Sequence, residues 1–268
     1  GGGKRAASRR DGPLRDKMDR TPIFSDTLYR MFLGYHCMPP PIRSEGGGVD
    51  RRRLEELGYE SFVREYERRN EPVVIEGVGE GIDCIKKWRK RGYLLEEFGD
   101  AKFRCTSVQS GGAMKVTFRQ YFDYVKGTKE ESPMYLFERD FCQSGMGKDY
   151  IPHIKSVLPF FVAGEDRVVD GDLHRPDLFS LLGPARPDYR WLIAGPVYSG
   201  SSFHIDPNAT NAWNLPVVNA KLWIFYPPGY PPPGVMAVGG GDEVIMPVSL
   251  GEWVLCFWDE HKKRMREG

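Results

Sequence analysis

The chain has 268 residues and a mass of 30.5 kDa, with 40% hydrophobic, 13% aromatic and 28% charged residues, a profile that suits one large soluble domain with a full core. A net charge of +1 excludes nucleic-acid binding driven by overall charge, and no apolar run is long enough to span a bilayer. Cys37, Cys84, Cys105, Cys142 and Cys256 form no C-x-x-C pair and follow no signal peptide, so reduced thiols in an intracellular protein are expected.

Residues 1–20 carry Lys4, Arg5, Arg9, Arg10, Arg15, Lys17 and Arg20 against three Asp and lack an apolar pattern. They read as a disordered basic tail: a nuclear signal or nucleic-acid-contacting arm on one account, a solvated tail with no reader on the other. Residues 21–58 read as a helical and linker segment, with a helix over Thr21–Gly34 and a Pro- and Gly-rich stretch after it. The main domain is expected over 59–268. It opens with a helix over Tyr59–Arg69, a short buried strand over Pro72–Val78 and a second helix over Ile85–Phe98. Strand-like runs follow at AKFRCTSV, AMKVTF and SPMYLFERDF, and PHIKSVLPFFV reads as an amphipathic or loop segment. The runs RWLIAGPV, SSFHIDP, AKLWIFYPP and DEVIMPV complete the pattern, with a flexible loop at Gly239–Gly241. Short strands and Gly/Pro turns behind N-terminal helices predict a mainly β fold, a sandwich or jelly roll. The first residue is Gly and the last run is polar, so both ends are expected to be cuts in a longer protein or the edges of an incomplete gene model.

The chemistry concentrates in SGSSFHIDPNATNAWN. On a strand, residues i and i+2 share a face, so His204 and Asp206 converge. An imidazole and a carboxylate so placed are two of the three donors of a facial triad for non-haem Fe(II). A surface strand whose His and Asp simply bond each other accounts for the same tripeptide. Fifteen residues after Asp206, Lys221 shares a face with Trp223 in AKLWIF, while Leu222 and Ile224 take the other. An inward lysine there demands an anion such as a dicarboxylate; an exposed lysine on an edge strand demands nothing. Thr210 and Asn214 are polar groups in reach of the same pocket, or ordinary turn residues. His261 falls among charges on a C-terminal helical segment and is expected at the surface, and His36, His153 and His174 are assigned to no metal.

At these residues the chain resembles the Jumonji-C family of Fe(II)- and 2-oxoglutarate-dependent oxygenases. The subgroup is that of the bifunctional arginine demethylases and lysyl hydroxylases (phosphatidylserine-receptor-like) with their F-box-bearing relatives. The resemblance runs from about Pro22 onward, through PIFSDTLYR, YESFVREYERRNEPVVI, KFRC, ESPMYLF, YRWLIAGPVYSGSSFHIDPNATNAWN, AKLWIFYPP and PVSLGEWVLCF. It implies a double-stranded β-helix, a cupin-like jelly roll, with N-terminal helices packed on it. It implies His204 and Asp206 as iron ligands and Lys221 as partner of the distal carboxylate of 2-oxoglutarate. Tyr135 and Ser201 would bond that carboxylate, and Asn214 would line the pocket. The implied activity hydroxylates lysine or N-methyl-arginine side chains of a protein substrate, releasing succinate and CO2, in a nuclear or nucleocytoplasmic setting beside nucleic-acid-associated proteins and off the membrane. The family pattern continues past PVSLGEWVLCFWDEH into a turn that supplies a second iron histidine. That turn is not among these residues, so the domain is expected to be incomplete at its C-terminus. A non-catalytic jelly-roll binding module, or a fragment lacking a complete metal site, remains the alternative.

Overall fold

The computed structural model describes residues 48–80, 82–106, 112–130, 133–150, 178–196, 199–206, 210–238, 243–245 and 250–267. The expected basic tail, the Thr21–Gly34 helix, the linker after it, PHIKSVLPFFV and the Gly239–Gly241 loop lie outside them.

Strand β1 (Asp50–Arg53) pairs in parallel with β2 (Val73–Glu76), Asp50 opposite Val73. Between them, helix α1 (Tyr59–Phe62) runs directly into a π-helical stretch, Val63–Glu67, whose Tyr66 is buried. The sequence pattern predicts a buried strand over Pro72–Val78. Instead β2 alternates between partly buried and exposed residues, because the core packs on only one of its faces, through Ile75.

The single helix expected over Ile85–Phe98 is two, α2 (Asp83–Trp88) and α3 (Tyr93–Phe98). Gly92 separates them at φ 87°, a left-handed conformation that costs a residue without Cβ little. Of the apolar residues expected inward, Trp88 and Phe98 are buried in the core while Leu94 and Leu95 are only partly covered; Ile85 is buried beside them.

Strands β3 (Lys102–Thr106), β4 (Ala113–Thr117), β5 (Tyr135–Glu138) and β6 (Leu192–Ala194) form an antiparallel sheet in the order β4-β3-β5-β6. Helix α4 (Phe118–Gly127) starts from β4 through a reciprocal cap: the Thr117 hydroxyl accepts the Gln120 N–H at 3.2 Å, and the Gln120 side chain accepts the Thr117 N–H at 3.0 Å. Phe103, Cys105, Val116 and Leu136 meet Ile82, Ile85, Trp88 and Phe98 in one large core. Buried Asp149 ties its rim, accepting from Lys87 at 2.9 Å, Tyr93 at 2.7 Å and Trp88 at 3.3 Å.

A second, smaller core lies in the C-terminal part. Strands β7 (Met236–Val238) and β8 (Glu243–Ile245) form a hairpin, followed by helix α5 (Leu250–Glu267). Val235, Trp253 and Val254 gather Phe203, Ile224, Val244, Phe257 and Trp258. The runs SSFHIDP and AKLWIFYPP, expected as strands, join no sheet over 201–206 and 220–227. Among the described residues the architecture is therefore a four-stranded antiparallel sheet, a parallel pair, a hairpin and helices, with the largest ladder in the first core.

Candidate metal and cosubstrate site

His204 and Asp206 lie on irregular backbone, yet their side chains converge as the His-x-Asp spacing predicts. His204 Nε2 is 3.3 Å from Asp206 Oδ1, and both groups are about half exposed. His204 Nδ1 lies 2.7 Å from the Ser202 carbonyl oxygen. A carbonyl only accepts, so Nδ1 carries the proton and donates. In the neutral ring the remaining lone pair, on Nε2, then faces a carboxylate oxygen. Two acceptors at that distance repel unless a proton or a cation lies between them. A ring nitrogen freed for a cation by a backbone bond to the other nitrogen is the usual support of a histidine metal ligand. The donor set, one imidazole nitrogen and one carboxylate, suits divalent iron. Among the described residues no group of three or more His, Cys, Asp or Glu side chains gathers for a metal, so this pair stands as two donors.

The second convergence is Lys221 with Tyr135. Lys221 Nζ lies 5.7 Å from the Tyr135 ring centroid and 5.6 Å from that of Trp223. The shared face of Lys221 and Trp223 is as expected; the inward direction is not, because Lys221 is exposed. The reason is local: among the described residues no neighbouring strand pairs with 220–227 to close a wall above it. Trp223 and Phe225 stack in parallel on the same side, each about half exposed, while Ile224 and Tyr226 turn toward the second core.

Tyr135 itself is buried at the start of β5. Buried Tyr121 of α4 fixes that strand: its hydroxyl accepts the Leu136 N–H at 3.2 Å and lies 3.0 Å and 2.9 Å from the Met134 and Ala194 carbonyls. Burial pushes the Tyr121 phenol far above its ordinary pKa, so it stays a donor. At Gly195, just past β6, a Cβ would stand 2.6 Å from Tyr135 ring carbons and run into the Ser199 hydroxyl. Only glycine lets the Tyr135 ring lie there. Ser201, Thr210 and Asn214 are exposed, and Ser201 and Asn214 join neither convergence among the described residues.

His261 corrects the expectation of a surface residue. It is 6% exposed, with Nδ1 2.7 Å from the Tyr226 hydroxyl and its ring against Trp253 and Trp258. Burial holds its pKa below the ordinary histidine value. Trp253, Phe257 and His261 recur every four residues, so one helix face carries all three. That spacing was the available signal; the charges at 259–260 and 262–264 masked it. Sequence reasoning also missed Gly195 and Tyr121, whose roles depend on contacts distant in the chain.

No family model matches the chain. Among curated proteins, it is 39% identical over 240 residues to the arginine-specific demethylase JMJ22 of Arabidopsis thaliana, covering 90% of this chain and 43% of that protein. It is 32% identical over 194 residues to the bifunctional arginine demethylase and lysyl-hydroxylase psr-1 of Caenorhabditis elegans, covering 70% and 43%. It is 25% identical over 237 residues to the 2-oxoglutarate and iron-dependent oxygenase JMJD4 of Mus musculus, covering 79% and 51%. The chain thus spans about half or less of the length of these relatives.

Proposed function

By sequence this chain belongs with the Jumonji-C oxygenases of the arginine demethylase and lysyl hydroxylase subgroup, and from that premise we propose that it carries the iron- and 2-oxoglutarate-binding part of a protein hydroxylase or demethylase. The observation that carries this proposal is the His204–Asp206 pair, with Nδ1 tied to Ser202 and Nε2 left facing the carboxylate at 3.3 Å. The relatives' names supply the chemistry: iron and 2-oxoglutarate in one, arginine demethylation and lysyl hydroxylation in another. The proposed fold around the pair is a double-stranded β-helix over 59–268, which the antiparallel strands support.

His204 and Asp206 would hold the metal through Nε2 and a carboxylate oxygen. Bound iron with 2-oxoglutarate supplies O2 activation, in which the keto acid is oxidised to succinate and CO2 and a substrate C–H becomes C–OH. Lys221 would provide the cation for the far carboxylate, with Tyr135 beside it; Ser201 and Asn214 are assigned to the same pocket by the resemblance alone. On a lysine side chain the product is the alcohol; on an N-methyl-arginine the hydroxymethyl group leaves as formaldehyde, returning the nitrogen its proton. The chain's own work is to place these groups and to keep the metal donors oriented. The basic residues of 1–20 support a nuclear setting, which deletion of that segment from a fluorescent fusion tests.

The decisive test is Mn(II) and Fe(II) binding by the full-length protein, with succinate release as a second readout. Asp206→Ala abolishes both on this proposal. Retained metal binding and turnover in that variant overturn the ligand assignment. A wild-type protein that binds no metal leaves the jelly-roll binding module as the function.

A further inference from the structure

Trp253 is fully buried and meets the Phe203 ring edge-on at 4.8 Å between centroids, one residue before His204. Its Nε1–H donates to the Pro233 carbonyl at 2.8 Å, which anchors the indole within the turn leading to β7. Two turns further along the same face of α5, His261 bonds the Tyr226 hydroxyl at 2.7 Å. Tyr226 lies on the extended segment that begins with Lys221, and Ile224 of that segment packs into the same small core. Among the described residues neither the His204 segment nor the Lys221 segment joins a sheet, so no ladder there holds either one. One helix face grips both: the ligand segment by a ring contact, the lysine segment by a hydrogen bond.

We propose that α5 sets the placement of the two half-sites, with Trp253 positioning His204 through Phe203 and His261 positioning Lys221 through Tyr226. Both are positioning residues, and the inference rests on the assignment of His204, Asp206 and Lys221 made above. Such a clamp matters because metal and cosubstrate affinity depend on placement, and outer contacts of ligand residues govern it strongly.

The test measures Mn(II) affinity, 2-oxoglutarate affinity and thermal stability separately in the full-length protein. Tyr226→Phe keeps the ring packed and removes only the hydroxyl. It is expected to weaken 2-oxoglutarate binding about five- to tenfold while Mn(II) affinity stays within about twofold. Trp253→Phe is expected to weaken Mn(II) binding by about tenfold or more. His261→Gln, which can still bond Tyr226, keeps 2-oxoglutarate affinity near wild type, and His261→Leu does not. Variants that bind both ligands like wild type overturn the clamp and leave the proposed function standing. Variants that lose both affinities together in step with melting temperature also overturn it, since that is general loosening. A wild type that binds neither Mn(II) nor 2-oxoglutarate removes the proposed function itself, and the clamp with it.

Discussion

The two cores of this molecule divide its labour. The first is built on a four-stranded antiparallel sheet with α2, α3 and α4 against it, and Phe103, Cys105 and Leu136 within it have no solvent exposure. The second is a few rings and aliphatic groups around Trp253, beside extended segments that carry His204, Asp206 and Lys221. In the segments beside it Ile205, Leu222, Trp223, Phe225 and Met236 stay substantially exposed. On the proposed assignment of His204, Asp206 and Lys221, stability and chemistry are housed apart. Sheet ladders and dense burial make the first core the larger source of stability, and the second, with fewer buried residues, is expected to open more readily. Tyr121 joins the two regimes, since it stands on α4 yet fixes the strand that presents Tyr135.

The largest effect should come from the first core. Phe103→Ala removes a fully buried ring and is expected to cost about 3–5 kcal/mol, read as a shift of the denaturation midpoint. A shift no larger than that of a surface variant would erase the distinction between the cores. Next comes Asp149→Ala, which strands the Trp88 and Tyr93 donors and is expected to cost about 1–3 kcal/mol. Burial pushes the Asp149 carboxyl up, but the bonds from Lys87, Tyr93 and Trp88 outweigh it and hold it below the ordinary Asp value. Its contribution is therefore whole above an ordinary carboxyl pKa of about 3.9 and is lost as pH falls through the lower folded value. Acid titration of the Asp149→Asn variant should lack that step.

The second core offers a gentler probe. The buried His261 ring is held below its ordinary pKa, so the unfolded chain takes up the proton first. The stability this gives is whole above about pH 6.5 and is lost as pH falls through the folded value. His261→Gln should flatten the stability profile in that window, and an unchanged profile would place the histidine in water. Smallest of all, Trp223→Ser should change stability by about 0.5 kcal/mol or less, because the ring is half exposed. A much larger loss in chemical denaturation would mean that its face is covered in solution.

Periodicity read the first core well. The strand-like runs AKFRCTSV, AMKVTF and SPMYLFERDF contain β3, β4 and β5, and Trp88 and Phe98 are buried as expected even though Gly92 splits the helix over 85–98. The candidate site was legible as residue types at fixed spacing: His204 with Asp206, Lys221 with Trp223. Less legible was everything that depends on a partner far away in the chain. Sequence favoured a strand for SSFHIDP, but a strand needs a neighbour, and none pairs with it among the described residues. His261 looked polar because its neighbours in sequence are charged; its neighbours in space are Tyr226, Trp253 and Trp258.

What the sequence determined by itself was local: which side chains share a face, where donors converge across two positions, and which resemblance those positions carry. Those follow from fixed backbone periods of two and 3.6 residues. What tertiary structure decided was which faces are covered. It buried His261, left Lys221 and Trp223 in reach of water, and gave Gly195 a reason through the Tyr135 ring. Burial is a property of the elements packed opposite, and no local period encodes it.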